Sequence, residues 1–331
     1  MTIQATRYEP AAAVETIDVS DMDRDDWLAL RRTGIGGSDV GAIVGVNRYR
    51  SAYEVWLDKT GQLPETDLSD IDAVHFGIVL EDAVAERFAY RTGFEVWHPR
   101  ATFRDRTRPW RIANPDRLMV DATGTVGVLE CKTAGMFVAD EWADGQIPES
   151  YELQAVHYAA VLGVPYAYLA VLIGGQRMEF RRIEADPAYV ADLDEVTERF
   201  WVDHVVAGVP PPVDSTPACT DVLVRLWHAQ EGIAELGDAG LEAALAYRDA
   251  MADEKIAKER KQLAGNQLRA MLGPKTVGVA AGQKICTWTD VETRRFDSDT
   301  FAVDYPDLFE QYRKTTVTRT LRVPASVGKQ R

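Results

Sequence analysis

Asn114-Pro115-Asp116 and, fourteen residues after Asp116, Glu130-Cys131-Lys132 at the end of an apolar run are the residues whose types and spacing could do chemistry. Side chains alternate between faces along a strand, so Val128-Leu129-Glu130-Cys131-Lys132 puts Glu130 and Lys132 on one face and Cys131 on the other. The turn Asp121-Ala122-Thr123-Gly124-Thr125 lies between two runs of strand character, so a hairpin can bring Asp116 beside Glu130. Two hard oxygen ligands and a cation then converge. That set suits Mg²⁺, which takes few carboxylates, keeps several waters, and can neutralise the leaving oxygen of a phosphodiester. Lys132 would orient or deprotonate the attacking water. An isolated Glu-x-Lys is more often an exposed pair on an edge strand, but here the preceding strand is apolar and Asn-Pro-Asp stands at hairpin distance.

The elements that must hold these residues can be read in order. Residues 23–32 predict a short helix with Trp27 and Leu30 inward. Gly34-Ile35-Gly36-Gly37 follows, with Ser38 as the expected cap of the next helix, leaving its first N–H groups for an anion such as a DNA phosphate. Residues 76–92 predict an amphipathic helix and 94–132 the twisted antiparallel core strands. Residues 151–162 predict a second helix that sets Gln154 and Tyr158 one turn apart on one face, with His157 off it. Gln154 is expected at the nucleic-acid backbone or near the attacking water; Tyr158 reads equally as packing. Strands over 166–174 and 178–183 and a helix over 193–206 complete an α/β order with the sheet sandwiched.

Composition agrees with an enzyme able to bury a full core, in roughly two domains. We expect a loose arm over 1–20, a core domain over 21–214, and a module over 215–331 beginning after Pro210-Pro211-Pro212. In that module residues 219–272 read as a helical hairpin turning near Gly237, followed by a small β-rich tail over 276–279, 284–289 and 315–323. Leu245, Ala252, Ile256 and Leu263 form a stripe near heptad spacing, open to reading as a coiled-coil arm or as packed helices. Three scattered cysteines argue against a disulfide framework and a four-cysteine iron-sulfur cluster. No apolar run suits a membrane span, so no membrane partner is expected and the cytoplasm is the default. The net charge of −15 is unusual for a nucleic-acid partner, so local distribution must decide. Arg100, Arg104, Arg106, Arg108 and Arg111 fall within twelve residues opposed only by Asp105; they read as a phosphate-tracking rim or as a solvated hairpin tip.

Pro115-Asp116 with Glu130-Cys131-Lys132 resembles the two halves of the PD-(D/E)xK nuclease motif. Arg31-Arg32-Thr33-Gly34-Ile35-Gly36-Gly37-Ser38-Asp39, Tyr53-Glu54-Val55-Trp56-Leu57-Asp58-Lys59-Thr60-Gly61, the helix around Glu81 and the Gln154-xxx-Tyr158 pattern narrow the likeness. Together they resemble the YqaJ-type viral recombinase nucleases, relatives of the bacteriophage lambda exonuclease, over about residues 20–210. The resemblance implies a restriction-endonuclease-like core, a mixed central sheet flanked by helices, and a 5′→3′ exonuclease resecting linear double-stranded DNA for phage-type recombination.

It also implies roles. Asp116, Glu130 and the Cys131 carbonyl would bind Mg²⁺, for which Mn²⁺ would substitute; Glu81 would support the water or a second metal; Lys132 would activate water. Arg31, with Arg32 as the alternative register, and Ser38 would hold the 5′-phosphate, and Tyr158, Arg104, Arg106 and Arg108 are further DNA-facing candidates. Relatives form rings that enclose DNA and work with a single-strand annealing protein, so both are expected here, in a bacterial cell of phage or prophage connection. An endonuclease of restriction or repair type would use the same metal set without a terminal-phosphate pocket. A non-catalytic DNA-binding module would show a broken set.

Overall fold

The computed structural model describes residues 8–63, 70–227, 229–316 and 318–328. The chain divides into two compact units, 1–228 and 229–331.

In the first unit, β1 (Val14–Asp18) is followed by α1 (Arg24–Arg32), α2 (Gly37–Val44), α3 (Ala52–Lys59) and α4 (Asp72–Thr92). Then come β2 (Glu95–Trp97), β3 (Ala101–Asp105), β4 (Ile112–Ala113), β5 (Arg117–Val120) and β6 (Val126–Ala134). A 3₁₀ segment at Met136–Gly145 leads to α5 (Glu149–Leu162), β7 (Tyr166–Ile173), β8 (Arg177–Glu184), α6 (Pro187–Phe200) with a π-type turn at Trp201–Val206, and α7 (Pro217–Leu226).

The main sheet has the order β2-β5-β6-β7-β8. Every pairing is antiparallel except β6 with β7, which run parallel because α5 carries the chain back across the sheet. β7, Tyr-Ala-Tyr-Leu-Ala-Val-Leu-Ile, is apolar throughout, as a strand covered on both faces must be. Alternation divides the core. Val128 faces the cluster that holds Leu153, Ala155 and Val156 of α5, whereas Leu129 and Cys131 face Val84, Ala85 and Phe88 of α4. This is a mixed sheet flanked by helices, consistent with the expected PD-(D/E)xK-like core.

Two expectations need correction here. The strands between 94 and 132 do not all join one sheet: β3 and β4 leave it and pair with β1 in a separate antiparallel sheet of order β1-β3-β4. The arm is correspondingly not loose over its described part. Val14 to Asp18 register against Asp105 to Ala101, and the Tyr8 hydroxyl donates to the Leu162 carbonyl. A five-residue edge strand with one buried side chain carries too little alternation to be read from sequence.

The second unit holds α8 (Gly237–Leu272), the hairpin β9 (Val277–Ala280) and β10 (Gln283–Thr287), α9 (Ser298–Asp304) and α10 (Pro306–Tyr312). The segment read as a hairpin of helices consists of α7, which contacts α3 of the first unit, and one continuous 36-residue helix that begins at Gly237. Ile256 and Leu263 of the heptad-like stripe are exposed. The strand expected over 315–323 does not form among the described residues there. A third strand needs a partner edge, and the β-bulge between Lys284 and Cys286 bends the hairpin's ladder.

Candidate active site

The β5–β6 hairpin builds the centre of the site. Asp121 Oδ1 accepts from the backbone amides of Thr123 and Thr125 at 2.8 and 3.0 Å, and Gly124 takes the left-handed conformation (φ 84°) that closes the turn. The resulting register sets Arg117 opposite Leu129 and leaves Asp116 at the end of the strand beside the Glu130 level. Asp116 Oδ2 accepts the Cys131 amide at 2.8 Å. Lys132 Nζ donates to Glu130 Oε1 at 2.6 Å, so the pair does share a face.

Gln154, from α5, donates its Nε2 to the same Glu130 Oε1. The other oxygen, Oε2, is buried with no hydrogen-bond partner. A buried carboxylate oxygen left unpaired is costly, and such an orphan calls for an ion or water.

Electrostatics repeat the point. Burial and the neighbouring Glu130 charge push Asp116 up to about 7. Burial raises Glu130 as well, against the pull of Lys132. Burial works to lower Lys132, but Glu130 and Asp116 overcome it and hold the ammonium charged. A charged lysine orients a water rather than taking its proton. Among the described residues, no three His, Cys, Asp or Glu side chains form a metal-holding group. Two carboxylates with a main-chain carbonyl remain a fitting set for Mg²⁺, which keeps most of its waters.

Glu81 does not point freely at this pair. Its Oε1 accepts from Arg117 Nη1 at 2.5 Å, and burial together with the Asp116 charge raises it. Arg117, which the sequence reading missed, is 4% exposed, pairs with Glu81 and Asp82, and donates to the Asp116 carbonyl. Its place directly after Asp116 was the only signal, since burial of an arginine cannot be read from one strand's alternation.

Arg31 and Ser38 also meet: Arg31 Nη2 donates to Ser38 Oγ at 3.2 Å, and the guanidinium lies 4.8 Å from the Trp27 ring centre. Ser38, however, is not the cap. α2 begins at Gly37, and Asp39 Oδ2 reaches back to accept the amide of Gly36, the residue that caps the helix, at 2.9 Å. Tyr158 is buried in the core, its hydroxyl 3.4 Å from Gln154 Nε2. Its phenol is raised first by burial and then by Glu130 and Asp116, and lowered by Arg31 and Lys132. Arg31 and the carboxylate pair thus both act electrostatically on the Tyr158 phenol, in opposite directions. His157 is off that face, as read, at 3.0 Å from the Ile112 carbonyl.

The arginine rim is largely consumed by carboxylates. Arg104 contacts Thr33 and Glu15, and Arg108 pairs with Asp194 at 2.6 Å and Asp105 at 3.4 Å. Arg106 alone of the three is exposed. Two of the candidates thus anchor β3 and the following loop, because Glu15 and Asp194 sit where the sequence could not place them.

Fold and site together define a mixed sheet flanked by helices that carries an acidic, lysine-bearing face and, on α1 and α2, a half-buried arginine and serine, consistent with a PD-(D/E)xK-like core. Residues 26–165 match the YqaJ-like viral recombinase domain. The chain belongs to that family: it is 35% identical to the protein YqaJ of Bacillus subtilis (strain 168) over 307 residues, covering 90% of this chain and 93% of the relative. Among solved structures it is similar to an alkaline exonuclease (LHK-Exo) from Laribacter hongkongensis, at 20% identity and a TM-score of 0.45, covering 56% of this chain and 94% of that one. It is also similar to a phage related exonuclease from Haemophilus somnus 129PT, at 12% identity and a TM-score of 0.35, covering 55% and 99% respectively. No helix among the described residues is long and apolar enough to cross a membrane.

Proposed function

We propose that this chain is a divalent-metal-dependent deoxyribonuclease that degrades linear double-stranded DNA 5′→3′ from a phosphorylated end and resects ends for phage-type recombination. One observation carries the reading: Glu130 Oε2 is buried and unpartnered beside Asp116, with Oε1 already satisfied by Lys132 and Gln154. Asp116, Glu130 and the Cys131 carbonyl would hold Mg²⁺ or Mn²⁺, with Glu81 as the further carboxylate. When bound, the ion supplies Lewis-acid stabilisation of the leaving oxygen.

The chain's own groups do the rest. Lys132 Nζ orients the attacking water, Gln154 fixes the Glu130 carboxylate, and Arg31 with Ser38 binds the terminal phosphate through charge-assisted hydrogen bonds. Arg106 remains as an exposed contact to the duplex. A ring of identical subunits acting with a single-strand annealing protein in a bacterial cytoplasm belongs to the same reading, since enclosure would let an acidic chain, net charge −15, stay on DNA.

The test is substrate form. Linear duplex with 5′-phosphates should be degraded in Mg²⁺ or Mn²⁺ and spared in EDTA, whereas covalently closed circles survive. Rapid cutting of closed circles would replace this reading with an endonuclease, and loss of 3′ label first would reverse the polarity.

A further inference from the structure

Four charged side chains behind the Arg31–Ser38 pair take no part in the chemistry described so far. Asp39 is fully buried, and the Lys59 side chain is 1% exposed. Lys59 Nζ lies 2.7 Å from Asp39 Oδ2 and donates to the main-chain carbonyl of Arg31 at 2.9 Å. The same Asp39 oxygen accepts the Gly36 amide, and Oδ1 pairs with Arg50. Arg50 continues to Asp58 at 2.8 Å, and Asp58 lies 3.5 Å from Arg32 Nε.

Burying such charges is expensive, and replacing a buried ion pair with apolar groups is often neutral or stabilising, so ordinary packing does not account for this one. Burial drives Asp39 toward neutrality, but Lys59, Arg50 and then Arg31 overcome it and keep the carboxylate charged well below the usual range. What the charge accomplishes is geometric. One carboxylate ties the C-terminal carbonyl of α1, through Lys59, to the glycine turn that opens α2.

We propose that Asp39 and Lys59 are positioning residues for a terminal phosphate: they fix the Arg31 backbone and the Gly36 turn so that the Arg31 guanidinium and the Ser38 hydroxyl converge on a single anion. The inference rests on the reading of Arg31 and Ser38 as the 5′-phosphate pocket. It makes the preference for a phosphorylated end a property of the buried network as much as of the two groups that touch the phosphate.

The measurement is the ratio of degradation rates, in the full chain, for linear duplexes that differ only in carrying 5′-phosphate or 5′-hydroxyl. Wild type should favour phosphate and Arg31→Ala should lose that preference by about tenfold, the scale of a charged hydrogen bond. Asp39→Asn/Lys59→Met removes both partners together and leaves no lone buried charge, so it should fold. It should reduce the ratio about as far as Arg31→Ala does, through KM for the phosphorylated duplex. Lys59→Arg, which keeps the charge, should restore much of it. If the folded double variant keeps the wild-type ratio while Arg31→Ala loses it, the network is only structural and the proposal is overturned, with the pocket intact. If wild type shows no preference, the pocket reading itself fails and the proposal falls with it. Should the double variant not fold, Lys59→Met alone is read in the same way, and an unchanged ratio overturns the proposal equally.

Discussion

Gln154 on α5 and Lys132 on β6 donate to one oxygen of Glu130, Lys132 at 2.6 Å, and because both donors share that acceptor, the buried Oε2 is left without a hydrogen-bond partner. Glu130→Gln or Lys132→Met should therefore lower hydrolysis at least a hundredfold, about 2.7 kcal/mol of transition-state stabilisation, with folding retained. Gln154→Ala should cost less, because Lys132 still holds the carboxylate. Initial rates on labelled linear duplex, alongside thermal melts, check all three; an active Glu130→Gln would remove Glu130 from the site.

Asp116 gives a pH dependence with a definite sign. Its carboxyl is held up to about 7 in the fold and titrates near 3.9 when unfolded, so between those values the folded state binds the extra proton. Stability from this group is present at low pH and is lost as pH rises through about 7. Melting temperature in EDTA should fall across that window, and Asp116→Asn should flatten the fall. Mg²⁺-dependent activity should rise over the same range, because the ligand must be ionised. A melting profile identical in wild type and Asp116→Asn would refute the assignment.

Arg117 joins Glu81 and Asp82 to the main chain of Asp116. Arg117→Ala should destabilise the protein by about 3 kcal/mol by stranding a partly buried glutamate, whereas Arg117→Lys should lose less stability but fail to hold both carboxylates. Denaturant unfolding with activity assays would separate the two effects.

Gly37 packs where no side chain fits: a Cβ there would lie 2.7 Å from Tyr158 Cε1 and 2.9 Å from the Gln154 carbonyl. Gly37→Ala should force α2 away from α5 and destabilise by about 1–3 kcal/mol. It should also slow hydrolysis by shifting Gln154. Stability and rate unchanged from wild type would show that the contact yields freely.

Truncation distinguishes two boundaries. α7 buries Ala218, Cys219 and Val222, so a chain ending at 214 should be less stable by about 2–5 kcal/mol than one ending at 228. Parallel melts of both truncations give the comparison, and equal stability would mean α7 contributes nothing to the first unit.

How much was legible in advance follows from how local each signal is. Strand alternation and turn chemistry fixed the Glu130–Lys132 face and the Asp121–Thr125 hairpin, and helix periodicity paired Gln154 with Tyr158. Each depends only on neighbours in the chain, and each is seen. The family likeness of the motifs, and with it the core architecture, was likewise carried by residue types in order.

Partner choice was not legible, because it is settled by residues far apart in sequence. Asp194, 86 positions from Arg108, turns a candidate DNA contact into an anchor. Glu81 meets Arg117 across 36 positions, and Lys59 reaches back 28 to the Arg31 carbonyl. Asp39 rather than Ser38 satisfies the turn before α2 because Lys59 and Arg50 converge to keep its buried carboxylate charged. A sequence states which charges exist. Only the packed structure decides which of them neutralise one another and which oxygen, here Oε2 of Glu130, is left without a partner.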